Sequence, residues 1–269
     1  MPGQAYALNH VGKVQQLTGD YRAAAASRRQ ALALARSAGD QLGAAVALSH
    51  LGEVQQLTGD YQASMASLQQ SRELFRRAGQ RVGEADVLLL QGRVQRETGD
   101  YPAALTSHQQ ALALYRQAGD RAFHALALNE LGLTLLLSGD HAAAATSLRQ
   151  ALETNRAFGN RLGEAETLNS LGELSCQTFD TSAAREHHTR ALTIARDIGA
   201  PLEQARALEG LGRSELGDGN VNPGLAYLRQ ALEIYQRIGA DGTRRVQHAL
   251  RHHGLTPSPA DTSGPRRRP

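Results

Sequence analysis

The sequence has no tryptophan, a single cysteine and a single lysine, and aromatic residues make up only 4% of it. With Cys176 alone, no intrachain disulfide can form, and nothing calls for an oxidising compartment. Proline is rare before residue 257, so little interrupts long helices. No basic stretch leads into an apolar one near the N-terminus, so no secretory signal is expected. The longest apolar run lies within residues 131–137 and is far too short to span a bilayer. No membrane partner is expected, and the expected location is the cytoplasm. Charge of one sign is lacking too. The net charge is +3, and Arg266-Arg267-Arg268 alone accounts for it. No basic stripe is left to hold a nucleic acid, so none is expected as a partner.

What is present is strongly helical. Ala, Leu, Gln and Arg dominate, all good helix formers. Arg used almost to the exclusion of Lys, with abundant Ala and Gly, points to a GC-rich coding sequence of the actinobacterial kind. The decisive feature is a repeat. Gly12, Gly52, Gly92, Gly132, Gly172 and Gly212 recur at a spacing of 40 without slippage. Gly39, Gly79, Gly119, Gly159, Gly199 and Gly239 form a second series at the same spacing. Leu8, Leu48, Leu88, Leu128, Leu168 and Leu208 keep the register.

Each unit reads as two helices, A and B. In residues 41–80, Val46, Leu48, Leu51 and Val54 share one face of helix A. Thr58-Gly59-Asp60 ends it, with Gly59 suited to positive φ and Asp60 to capping helix B. The same punctuation weakens at Phe179-Asp180 and Gly219-Asn220. The glycines within helix A cost roughly 0.5–1 kcal/mol each relative to Ala. Their expected return is close helix approach, small against small, opposite Ala24, Ser64, Ala104, Ala144, Ala184 and Gly224.

Little in the sequence suggests chemistry. Gly12-Lys13-Val14 is no phosphate-binding loop, because it lies inside a helix and lacks the Gly-Lys-Ser/Thr order. His248 and His252 stand four apart, but Ala249 occupies the place of a general base. His187-His188 has no evident acidic or Cys partner, and Cys176 has no base beside it. No catalytic residues, metal site or cofactor are expected, and the chain is not expected to be an enzyme.

The pattern Leu48-x-x-Leu51-Gly52, then Gly59-Asp60-Tyr61, then small residues at Ala31, Ala111 and Ala151, resembles the tetratricopeptide repeat. The resemblance covers residues 1 to about 240, with both helices longer than in the usual repeat of that family. The usual aromatic of mid helix B is replaced by Arg28, Leu68, His108, Leu148, His188 and Leu228. Arg-x-Gly-Glu-Ala at 81–85 and 161–165 looks like arrays attached to actinobacterial antibiotic-regulatory proteins and NB-ARC-type signalling ATPases. The resemblance implies an all-α, right-handed α-solenoid of helix-turn-helix repeats at 1–40, 41–80, 81–120, 121–160, 161–200 and 201–240. A capping helix is expected at 244–253, with Val246, Ala249 and Leu250 covering the last repeat, and a disordered tail at 254–269.

The implied function is a scaffold that binds another protein or peptide, as the sensor arm of a bacterial transcriptional or signalling regulator. Helix A would line the concave face. The groove expectation then falls on the middle of the array. Leu89, Leu133 and Leu136 would make an apolar floor, with Arg93 and Arg96 on one side and Asn129, Asn169 and Glu173 on the other. Asn can both donate and accept, which suits an extended peptide backbone. Residues 1–3 align with the first turn of a helix A, so no cap precedes repeat 1. Either a longer regulator continues upstream, or this open face pairs two copies into a homodimer.

Overall fold

The structure, a computed structural model, describes residues 2–240 and 242–252. The described residues form thirteen α-helices and no strands. They fall into two compact units, Met1–Asn160 and Arg161–Pro269. The first holds α1 (Pro2–Leu17), α2 (Tyr21–Ser37), α3 (Gln41–Leu57), α4 (Tyr61–Arg77), α5 (Arg81–Glu97), α6 (Tyr101–Ala118), α7 (Arg121–Ser138) and α8 (His141–Ala157). The second holds α9 (Arg161–Gln177), α10 (Thr181–Asp197), α11 (Pro201–Gly217), α12 (Val221–Ile238) and α13 (Gly242–His252). Each unit is a stack of antiparallel hairpins. Helix A touches helix A of the next hairpin, α3 on α5 and α5 on α7 in the first unit, α9 on α11 in the second.

Local chemistry sets the hairpin ends. Asp20, Asp60, Asp100, Asp140 and Asp180 each accept a hydrogen bond from the backbone N–H three residues on, at 3.0–3.2 Å. Such a cap contributes about 1 kcal/mol. Gly59 takes φ +79°, closing α3 so that Asp60 N–H reaches the Gln55 carbonyl at 2.9 Å. At the corresponding point after α9 the chain has Phe179, held at φ 60° with its side chain 92% exposed.

The glycines inside helix A do a different job from the one expected of them. A Cβ at Gly52 would stand 2.7 Å from Leu68 Cγ, and one at Gly132 2.6 Å from Leu148 Cγ. Gly92 and Gly172 meet the rings of His108 and His188 at 2.4 Å in the same way. Each glycine is thus a socket for the large side chain in mid helix B of its own hairpin. The facing small residues bring only a backbone oxygen near, as Ser64 O does at 3.4 Å from the added Cβ of Gly52. Small against small is therefore the lesser part of the packing. The socketed side chains are all but inaccessible, from Leu68, His108, Leu148 and Leu228 at 0% to His188 at 2%.

The last helix starts at Gly242, two residues earlier than expected, because Gly242 packs against the Tyr235 ring. Val246 and Leu250 are buried against the preceding hairpin, and Ala249 is half-buried. The expected tail at 254–269, and His253 of the expected cap, lie outside the described residues. Among the described residues no helix is long and apolar enough to cross a membrane.

Phe179 has a left-handed backbone and buries almost nothing, so its side chain only costs. The left-handed conformation costs an L-residue roughly 1–2 kcal/mol. Phe179→Gly is expected to raise stability by about 0.5–1 kcal/mol after the extra chain entropy of glycine is deducted. Urea unfolding checks this, and an unchanged or lower midpoint contradicts it.

Candidate functional site

From α3 to α11, helix A leaves the residues at its sixth, thirteenth and seventeenth positions at least partly accessible, and in α3 and α5 the tenth as well. In the first unit these include Leu90 and Arg93 of α5, and Leu126, Leu133 and Leu137 of α7. Leu126, Leu133 and Leu137 lie 7 and 4 residues apart, which stacks them on one helical face. Leu126 and Leu133 are half-buried, and Leu137 is 49% exposed.

Beside this apolar strip is an ionic cluster. Arg93 Nη2 lies 2.7 Å from Glu130 Oε1, and Arg96 Nη1 lies 2.6 Å from Glu130 Oε2. Burial of Glu130 would raise its pKa. The charges of Arg93, Arg96 and His108 outweigh that and hold the carboxyl well below the usual carboxylate range. Two guanidiniums share one carboxylate, Arg93 on Oε1 and Arg96 on Oε2. Both arginines remain partly accessible, with side chains 29% and 15% exposed.

Arg93 and Arg96 come together on Glu130, an acid that sequence reasoning passed over. Glu130 stands where the other repeats have His10, His50, Leu90, Ser170 and Gly210. A carboxylate one turn from Thr134 and opposite two arginines was the available signal. The expected floor is corrected. Leu89 and Leu136 are 4% and 2% exposed, sealed into the packing between successive helices, which leaves Leu133.

Asn129 and Asn169 are also buried, at 5% and 2%, and do not line a groove. In the second unit, Asn169 Nδ2 donates to Glu203 Oε2 at 2.8 Å, and Asn169 Oδ1 lies 3.1 Å from His188 Nδ1. Burial, with Arg213 and Arg206 nearby, lowers the His188 pKa to about 3, so the ring is neutral. Glu173 pairs with Arg213, and Glu209 takes Arg245 at 2.5 Å and the Tyr235 hydroxyl at 2.9 Å. The helix-A charges of this unit are largely satisfied internally.

The register explains the asparagines. Asn9 and Asn169 each face the polar socketed side chain of their own hairpin, with Arg28 Nη1 at 3.2 Å from Asn9 Oδ1. Repeats 3 and 4 are mismatched. His108 has Leu89 at that position, and neither of its ring nitrogens has a hydrogen-bond partner. Asn129 has Leu148, and its Oδ1 is buried without a partner. Burial pulls the His108 pKa down to about 4.

Burial pushes the Cys176 thiol pKa up, away from the thiolate. Among the described residues no group of three or more His, Cys, Asp or Glu side chains could hold a metal ion.

The tetratricopeptide repeat family model matches residues 3–77, 43–117 and 123–197. No curated protein matches the chain by sequence. Among solved structures, it is similar to a Rap protein complexed with Competence and Sporulation Factor, at 14% identity and TM-score 0.71, over 93% of this chain and 74% of that one. It is similar to the Rap conjugation gene regulator of plasmid pLS20 in complex with the Phr* peptide, at 14% identity and TM-score 0.70, over 84% and 63%. A STAND signal-transduction ATPase with a tetratricopeptide repeat sensor, from Pyrococcus horikoshii, aligns at 15% identity and TM-score 0.69, over 96% of this chain and 40% of that one. At these identities the likeness is one of fold.

The two buried asparagines should respond oppositely to the same change. Asn129→Leu removes an orphaned acceptor and is expected to stabilise by about 1 kcal/mol. Asn169→Leu strands Glu203 and His188 and is expected to destabilise by about 2–3 kcal/mol. Chemical denaturation of both variants decides, and equal losses would contradict the pairing.

Proposed function

The chain belongs to the tetratricopeptide repeat family, and on that footing we propose that it is a protein-interaction scaffold whose helix-A face in repeats 3 and 4 holds a peptide or helix of a partner. The observation that carries this reading is the half-exposed strip Leu126, Leu133 and Leu137 beside the Arg93–Arg96–Glu130 cluster. An apolar strip supplies the anchor, and the partly accessible guanidiniums of Arg93 and Arg96 select a nearby acid. The Rap regulator solved with the Phr* peptide lends support at the level of fold. A role as the sensor arm of a cytoplasmic bacterial regulator fits the same family, as in the STAND ATPase with its repeat sensor.

A second reading is self-association through α1. Val11 and Val14 are 47% and 60% exposed, whereas Leu51 and Val54 at the same positions of α3 are 6% and 0% exposed. Tyr6, 68% exposed, extends that uncovered face.

Peptides selected from a displayed random library are the probe for the first reading. They are expected to carry an apolar residue close to an acid, and to bind Leu133→Asp and Arg93→Gln about tenfold more weakly. Glutamine is the right replacement at 93, since Arg96 still holds Glu130. Unchanged binding by both variants refutes the groove. Sedimentation velocity over a concentration series tests the second reading, and a monomer throughout removes it.

A further inference from the structure

A cleft of about 640 Å³ opens in the first unit on the side away from the helix-A face, between α2 and α4 over the first turns of α3. Its floor is Ala35, Ala44, Leu48 and Leu74, and its rim carries Gln41, Gln69 and Gln70. The space arises from truncated side chains. At the next joint along the stack, Phe75 lies against Gly83, and Arg72 spans the gap to Glu84 at 3.3 Å and to Gln110 at 3.0 Å. At the joint after that, Tyr115 stacks on Phe123 with centroids 5.5 Å apart. In the cleft, the same three positions as Phe75, Arg72 and Glu84 are Ala35, Leu32 and Ala44. Arg36 donates to Gln70 at 3.2 Å across this joint, and Leu74 packs beneath it on the cluster of Leu32, Ala35 and Ala44.

We propose that this cleft is a docking site for an aromatic side chain of a partner polypeptide, which supplies in trans the ring that the neighbouring joints supply from their own sequence. The neighbouring joints are the guide to the occupant, because the same backbone frame accepts Phe75 and Tyr115. The rim argues for a ring carried on a chain. Amides both donate and accept, so Gln41 and Gln69 suit the N–H and C=O groups flanking an inserted residue. The site is separate from the helix-A face, and neither reading depends on the other.

The test uses three probes on the whole chain: N-acetyl-Ala-Tyr-Ala-amide, the matching tri-alanine amide, and free p-cresol. Methyl NMR signals of Ala35 and Ala44 report occupancy. Saturable shifts are expected with the tyrosine peptide, with p-cresol about tenfold weaker and no saturation by tri-alanine. Two variants close the cleft with residues the neighbouring joint already uses, Ala35→Phe and the pair Leu32→Arg with Ala44→Glu. Each is expected to fold with an undiminished thermal midpoint and to lose tyrosine-peptide binding at least about tenfold. Three results overturn the proposal. They are equal binding by tri-alanine, p-cresol binding as tightly as the peptide, and no saturable shift from any probe. Undiminished peptide binding by both closed variants, folded as wild type, overturns it as well.

Discussion

The insertion of one large helix-B side chain into a glycine socket on helix A is the contact on which the rest of the structure depends. Gly52 with Leu68, Gly132 with Leu148 and Gly212 with Leu228 are the apolar versions. The added Cβ at these glycines would stand within 2.6–2.8 Å of a leucine Cγ, a distance real packing does not allow. Helix A therefore accepts a propensity cost of roughly 0.5–1 kcal/mol per glycine. In return a buried leucine contributes roughly 1.5–3 kcal/mol by leaving water. Hairpin geometry follows from the seat of that side chain, and stacking of A on A follows from hairpin geometry.

Alternate hairpins put a polar group in the same socket, and this is where the repeat acquires individuality. Arg28 and His188 have an asparagine waiting on helix A, and His188 is wedged between Gly172 and Gly210. His108 and Asn129 are polar without a match, one repeat apart. An orphaned buried polar group costs roughly 1–3 kcal/mol. Both orphans are carried on the two hairpins that bear the Arg93–Arg96–Glu130 cluster and the exposed leucine strip. Arg28 Nε and Nη2 and His188 Nε2 are also buried without a partner, so such groups are not confined to the face proposed to bind a partner.

The hairpins, their ends and the family were legible in the sequence, because glycine and aspartate punctuation acts within a few residues of itself. Asp60 capping Ala63 and Gly59 at positive φ needed no knowledge of tertiary structure. The face of each helix was harder to read. The asparagines at 129 and 169 looked like surface because they are polar, yet both are buried, Asn169 beside the socketed His188 and Asn129 with its Oδ1 unpartnered. Leu136 was read as exposed because Gln56 and Arg96 share its register, although those two are themselves half-buried by their stems. The outer cleft was invisible for a simpler reason. Alanine at 35 and 44 is unremarkable in an alanine-rich helix, and only the contacts of Phe75, Arg72 and Glu84 show what is missing.

The socket is tested most directly by measuring the effect of Gly132→Ala in two backgrounds, wild type and Leu148→Ala, by urea unfolding. In the wild type the new methyl collides with Leu148, and a loss of about 1–3 kcal/mol is expected. With Leu148 cut back to alanine the methyl enters the vacated space and helix propensity favours it, so a gain of about 0.5–1 kcal/mol is expected. A reversal of sign between the two backgrounds is what a glycine socket requires. The same sign and size in both would mean that Gly132 and Leu148 act independently, and the account of how these hairpins hold together would be wrong.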